Sequence, residues 1–202
     1  MSGAKSVTIQ VGLNDLRWLE ANGYNICVAK KIAGYEYDVV WQSFIPLPQT
    51  VFSWDSEYQI FVISYFMENA MVILDAAHTA DVGLGEEITL DSALKFSVPT
   101  KGGPETGITL INQFGSTFPG ISQVITGFDG KRVSKPAFVV PTPAPSGETV
   151  LTPVDSVLVW FQSDVQVGSM FKGPRPNAVE IDLAVDNSAS WLYQNGSWQR
   201  IG

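Results

Sequence analysis

Eighteen glycines and twelve prolines are spread along this chain of 202 residues. Both residues weaken helix interiors, so their distribution argues against an architecture of long helices. Between them lie short runs rich in Val, Ile, Thr, Tyr, Phe and Trp, side chains that pack well on a pleated surface. Val7–Val11 and Val179–Leu183 alternate apolar with polar residues, as half-buried strands do, with Glu180 and Asp182 turned outward. Tyr35–Trp41 places Tyr35, Tyr37, Val39 and Trp41 on one face and Glu36, Asp38 and Val40 on the other, again a half-buried pattern. Tyr58–Phe66 and Val157–Phe161 are apolar on both faces, which predicts central strands. The expected fold is all-β, an antiparallel sandwich or a barrel-like pair of sheets.

Asn22-Gly23, Asp129-Gly130 and Asn195-Gly196 are dipeptides that tolerate the positive φ of tight hairpin turns. One short helix is expected over Asn14–Ala21, with Asn14 or Asp15 as its cap and Gly23 beyond its end. The segment from Pro141 to Thr149 carries three alternating prolines and reads as a loop of the sandwich rather than a linker between domains.

The two halves of the chain, 5–100 and 105–201, show a weak internal repeat within what reads as one domain. Thr50–Ser64 aligns without gaps on Thr149–Ser163, ninety-nine residues on, with Thr50, Val51 and Ser64 identical to their partners. Val7-Thr8-Ile9 falls on Ile108-Thr109-Leu110, and Ile88-Thr89-Leu90 on Ile181-Asp182-Leu183. Two similar β units related by a pseudo-twofold would produce this pattern. So would chance likeness between buried strands.

Composition narrows function by exclusion. Twelve basic and twenty acidic residues give a net charge of −8, which opposes the phosphate neutralisation that drives nucleic-acid binding. Residues 1–100 carry 5 basic and 12 acidic residues, so most of the acid is N-terminal. Basic residues gather at Lys131, Arg132 and Lys135 and at Lys172 and Arg175; they read as solvated loops, which would hold an anion only where the two groups meet. No signal-like N-terminus and no run of about 20 apolar residues is visible, so a cytoplasmic protein is expected. One cysteine and one histidine leave no cysteine-rich or paired-histidine metal motif, and no metal or cofactor is expected.

Catalytic constellations are sparse. A nucleophilic triad would depend on His78 alone as its base, which lies between Asp75 and Asp81. Cys27 sits between Ile26 and Val28 and reads as a buried structural thiol. The carboxylate pairs Glu180/Asp182, Glu36/Asp38 and Glu86/Glu87 read as outward strand or turn positions. The glycines of Val82–Glu87 precede a strand rather than a helix, the wrong setting for a dinucleotide.

Aromatic residues are the most informative chemistry. With a two-residue loop at Asn195-Gly196, Tyr193 faces Trp198 and Trp191 faces Arg200, so Trp191, Tyr193, Trp198 and Arg200 share one face of a C-terminal hairpin. Exposed, that face is a stacking platform for a sugar ring or a cation; turned inward, it closes one end of the core. Trp18 and Trp54 are further candidate rim aromatics, whereas Trp41 and Trp160 read as core. The function expected from these residues is non-catalytic binding of a glycan or other small ligand. A membrane-active β protein and an enzyme with an apolar cavity are the alternatives, and a homodimer is compatible with strands this apolar.

Overall fold

The computed structural model describes residues 4–126 and 132–202. The strands of the first half are β1 (Lys5–Val11), β2 (Tyr24–Ile32), β3 (Val40–Phe44), β4 (Gln49–Trp54), β5 (Tyr58–Ile63), β6 (Thr79–Val82), β7 (Glu86–Leu90) and β8 (Thr100–Lys101). Those of the second are β9 (Ile108–Asn112), β10 (Phe118–Thr126), β11 (Arg132–Val139), β12 (Gly147–Leu151), β13 (Pro153–Ser163), β14 (Val179–Asp182), β15 (Ser188–Gln194) and β16 (Ser197–Arg200). One helix, α1 (Leu13–Ala21), joins β1 to β2, and a single 3-10 turn spans Ala76–His78.

The fold is all-β, with four four-stranded sheets, none closed into a barrel. Sheet I runs β16-β15-β1-β4, sheet II β14-β13-β2-β3, sheet III β12-β9-β7-β8 and sheet IV β11-β10-β5-β6. Two pairings depart from the antiparallel expectation: β1 lies parallel to β15, and β7 parallel to β9. Parallel neighbours need a long return of the chain, which local sequence patterns do not announce.

Apolar faces bring the sheets together in pairs. Val7, Ile9 and Phe52 of sheet I interdigitate with Ile26, Val28, Trp41 and Val159 of sheet II. Ile88, Leu90, Ile108 and Leu110 of sheet III pack on Tyr58, Ile60, Ile121 and Phe138 of sheet IV. The result is two sandwiches. Segments 64–78 and 164–178 cover outer faces of sheets IV and II and bridge to each other at Met71 and Ser169.

The strand orders carry an internal symmetry. Adding eight to each strand number, and counting around from sixteen to one, turns sheet I into sheet III and sheet II into sheet IV. Every sheet therefore takes two strands from each half of the chain. Register follows the same rule. Phe52 pairs with Val7 and Leu151 with Ile108, so Thr50–Ser64 and Thr149–Ser163 sit at equivalent places with equivalent partners. The bulges coincide too: β2 slips against β3 between Val28 and Ala29, and β10 slips against β11 between Ile121 and Ser122. Ile60 pairs with Ile121 and Val159 with Val28, so these two slips occupy one equivalent position. Bulges re-aim a strand at a defined place, and two at matching places are a topological signature. One alignment from the sequence differs: with β1 matched to β9, the parallel partner of Ile88 is Leu110 and that of Trp191 is Ile9, so Ile88–Leu90 corresponds to Trp191–Tyr193 and not to Ile181–Leu183.

Other local expectations are revised by tertiary context. Asn22-Gly23 ends α1 instead of turning a hairpin: Asn22 is the C-cap and Gly23 has φ +67°. Helix ends and hairpins both use positive φ, so the dipeptide alone does not separate them. Asn14 and Asp15 lie inside α1, whose N-cap is Gly12 with no side-chain cap. Of Tyr35–Trp41 only Val40 and Trp41 are strand, and Asp38, Val40 and Gln42 are buried together with Tyr37, Val39 and Trp41. Both faces are covered: segment 164–178 packs Phe171 against Tyr37 and Val40 and Met170 against Val39, while β11 meets Asp38 through the Val139 amide and Gln42 through Lys135. Pro141–Ser146 is the loop between β11 and β12, held by an Asn112 Nδ2 bond to the Pro145 carbonyl. The Asp129-Gly130 turn and Lys131 fall outside the described residues.

Candidate functional site

A cleft of about 370 Å³ opens at one end of the sandwich built from sheets III and IV. Four pieces of chain make it. The end of β5 contributes Val62 and Ile63 and passes Ser64 and Tyr65 to the rim; segment 71–78 adds Met71, Ile73, Asp75 and His78. The turn after β7 adds Leu94, and the connection from β9 to β10 adds Phe114, Ser116 and Thr117.

Local bonding fixes these walls. Asn112 Oδ1 accepts from the Phe114 amide at 3.0 Å and its Nδ2 donates to the Gly115 carbonyl at 2.6 Å, which sets the Phe114 ring at the mouth. Thr117 Oγ1 donates to the Ile63 carbonyl at 3.3 Å and ties that connection to β5. Asp75 Oδ1 accepts from the Ala77 amide at 2.9 Å and starts the 3-10 turn that presents His78. Asp75 Oδ2 stands 3.5 Å from His78 Nδ1, longer than an ordinary hydrogen bond. Tyr65 and Phe114 are each 42% exposed, and the lining as a whole is mostly apolar, with Ser64, Asp75, His78, Ser116 and Thr117 as its polar groups.

The C-terminal hairpin has the register expected of a two-residue loop, with Tyr193 opposite Trp198 and Trp191 opposite Arg200. Its rings turn inward. Tyr193 is buried, and Trp198 stacks on Phe161 of β13 with centroids 5.5 Å apart and planes within 5°. Trp198 Nε1 donates to the Asn177 carbonyl at 2.7 Å. Helix α1 closes over the turn: Asp15 accepts from the amides of Asn195 at 2.9 Å and Gly196 at 3.1 Å. Arg200 turns to Asp186 at 3.1 Å and to the Gly202 carbonyl. Trp191 is half-buried against the core. Trp54 is only 4% exposed, under the Lys30 ammonium at 4.1 Å, and is core rather than rim. Trp18 is 56% exposed, its ring 5.3 Å from Tyr24.

Three buried charged side chains escaped the sequence reading, Lys5, Lys30 and Asp38; Lys5 is satisfied by Asp155 at 3.3 Å and the Leu183 carbonyl at 2.7 Å. Lys30 shares a face of β2 with Ile26, Val28 and Ile32, and alternation alone points it inward. Its ammonium lies between the rings of Trp54 and Trp41, 4.1 and 4.9 Å from their centroids, and burial holds its pKa well below the ordinary lysine value. Asp38 Oδ1 accepts from the Val139 amide at 3.3 Å while Oδ2 has no partner; burial raises its pKa well above the usual carboxylate range. Burial likewise pushes the Cys27 thiol up to about 12, which suits an inert core thiol. Of the clustered basic residues, Lys135 donates to Gln42 Oε1 at 3.1 Å, and Lys172 and Arg175 lie over the rings of Phe66 and Phe171 at 5.5 and 4.4 Å.

Among the described residues no three His, Cys, Asp or Glu side chains converge on a metal position, and no helix is long and apolar enough to cross a membrane. Comparison with protein-family models, curated proteins and solved structures finds no match for this chain.

Proposed function

We propose that this is a non-catalytic binding protein and that its ligand site is the cleft bounded by Tyr65 and Phe114. One observation carries the reading: a concavity of about 370 Å³ with a mostly apolar lining and a few polar groups. Small-molecule sites have volumes of roughly 300–1,000 Å³ and this division between apolar lining and sparse polar groups. The ligand that fits is a small amphipathic molecule, its apolar body against Val62, Met71, Ile73 and Leu94 and its polar end at Ser64, Asp75, His78 or Ser116. A ligand-observed NMR screen of a fragment library tests this. Fragments that bind the wild type should lose affinity at least fivefold in both Phe114→Ala and Ile73→Arg, changes at exposed rim positions. A library with no binders, or binders indifferent to both changes, refutes the reading.

A second reading, carbohydrate binding, is favoured by the exposed Trp18 indole beside Tyr24. Glycan-array binding that disappears in Trp18→Ala would support it, and a blank array would remove it.

A further inference from the structure

The cleft has a counterpart in the other sandwich, and there the space is filled. The same four elements meet around it. The end of β13 (Phe161–Ser163) stands where the end of β5 (Val62–Ser64) stands. Asn177 precedes β14 as His78 precedes β6: Ile60 pairs with Ala80 and Val159 with Val179, which aligns the two approaches. The β15–β16 turn corresponds to the turn after β7, and α1 occupies the connection that Phe114–Ser116 makes between β9 and β10.

The filling is aromatic. Trp198 lies flat on Phe161, Tyr193 sits 4.9 Å from Trp198, and the indole N–H is bound by the Asn177 carbonyl. α1 then seals the opening through Asp15. Around the cleft each of these pieces is smaller or missing. Val62 stands for Phe161, Leu90 for Tyr193, and a short connection replaces the nine-residue helix. Phe96, the bridge partner of Leu90, stands for Trp198; it is a smaller ring, partly buried against the sheet III–IV core, and is not among the residues lining the cleft. One sandwich thus closes its end with its own rings and the other leaves the equivalent end open.

We infer that the cleft takes a planar aromatic group carrying a hydrogen-bond donor, in the place that the Trp198 indole fills in the other sandwich, with the ring between Val62 and Phe114 and the donor directed to the His78 end. This deepens the proposed function and rests on its placing of the ligand site in the cleft. The chemistry can come from a free aryl molecule or from an aromatic side chain of a peptide.

The test is titration of the full chain, followed by ligand-observed NMR, with indole, the tripeptide Gly-Trp-Gly, cyclohexanol and 1-octanol. Indole should bind at least tenfold more tightly than either alcohol. Tighter binding by the tripeptide than by indole assigns the group to a peptide, and the reverse order assigns it to a free molecule; both support the inference. Val62→Phe copies the ring of the filled sandwich into the cleft and should weaken indole at least tenfold. Phe114→Ala, at an exposed position, should weaken it at least fivefold and supplies the test if Val62→Phe does not fold. If an alcohol binds as well as indole, or indole binding is unchanged in the folded variants, the aromatic inference is overturned while the cleft remains a ligand site. If none of the four probes binds, the aromatic inference falls, and the fragment screen separately decides the site.

Discussion

Lys30→Met is the most informative single change in the core. Lys30 is 5% exposed and has no carboxylate within ion-pair distance among the described residues. Its ammonium is held by two indole faces instead. A desolvated cation–π contact contributes about 2 kcal/mol, whereas a buried ion costs several kcal/mol even after relaxation. Methionine keeps the length and apolar stem of lysine, and its sulfur recovers about 0.3–1.5 kcal/mol against the rings. The variant should therefore be more stable by about 1–3 kcal/mol at pH 7, raising Tm by about 2–12 °C for a chain of this size. The pH dependence fixes the cause. Because the folded-state pKa lies below the ordinary 10.5, the unfolded chain binds a proton that the native protein has released between those two values. Wild-type stability from this group is lowest below the folded pKa and rises with pH up to 10.5, so the advantage of the variant shrinks across that window. Guanidinium titrations at a series of pH values measure both effects, provided m is unchanged. A loss exceeding about 1 kcal/mol at pH 7, or an advantage that does not diminish towards pH 10.5, refutes the reasoning.

Two further outcomes follow from packing and topology. A Cβ on Gly120 would meet the Phe61 ring and lie 2.6 Å from the Phe138 carbonyl. Gly120→Ala should cost about 1–3 kcal/mol by overpacking, and a denaturation midpoint equal to wild type would show that the ring has room to withdraw. Separate chains 1–104 and 105–202, cut in the exposed loop after β8, should each fail to fold as a monomer, because every sheet needs two strands from each. Mixed one to one they should assemble into a 22.0 kDa complex seen by size-exclusion chromatography and circular dichroism. Cooperative unfolding of either piece as a monomer would contradict the exchange of strands.

Local patterns in the sequence carry much of the architecture. Alternation places Val7–Val11 and Val179–Leu183 with their inner faces correct, and Asn195-Gly196 fixes the hairpin register. The short helix is legible to within one residue at its start. The parallel pairs are not, because nothing in β1 specifies a partner near the other terminus. Nor is the direction of the aromatic hairpin face, which depends on Phe161 and α1 arriving above it. Lys30 is masked by its own charge, although its neighbours on the strand point inward. The cleft lies in what separates two equivalent places, with Val62 opposite Phe161, and such a difference carries meaning only once the equivalence is known.

The exchange of strands also sets when the protein can fold. Ser6 of β1 lies beside Ser188 of β15, a separation of 182 residues (188 − 6). At a synthesis rate of about 5–20 residues per second, β1 leaves the ribosome roughly 9–36 s before its parallel neighbour exists. Through that interval β1 can pair with β4, but its other edge stays open, and β2 likewise waits for β13. Unpaired edges of nascent chains are where misassociation begins, so newly made copies are most exposed to it in the interval before the last strands emerge.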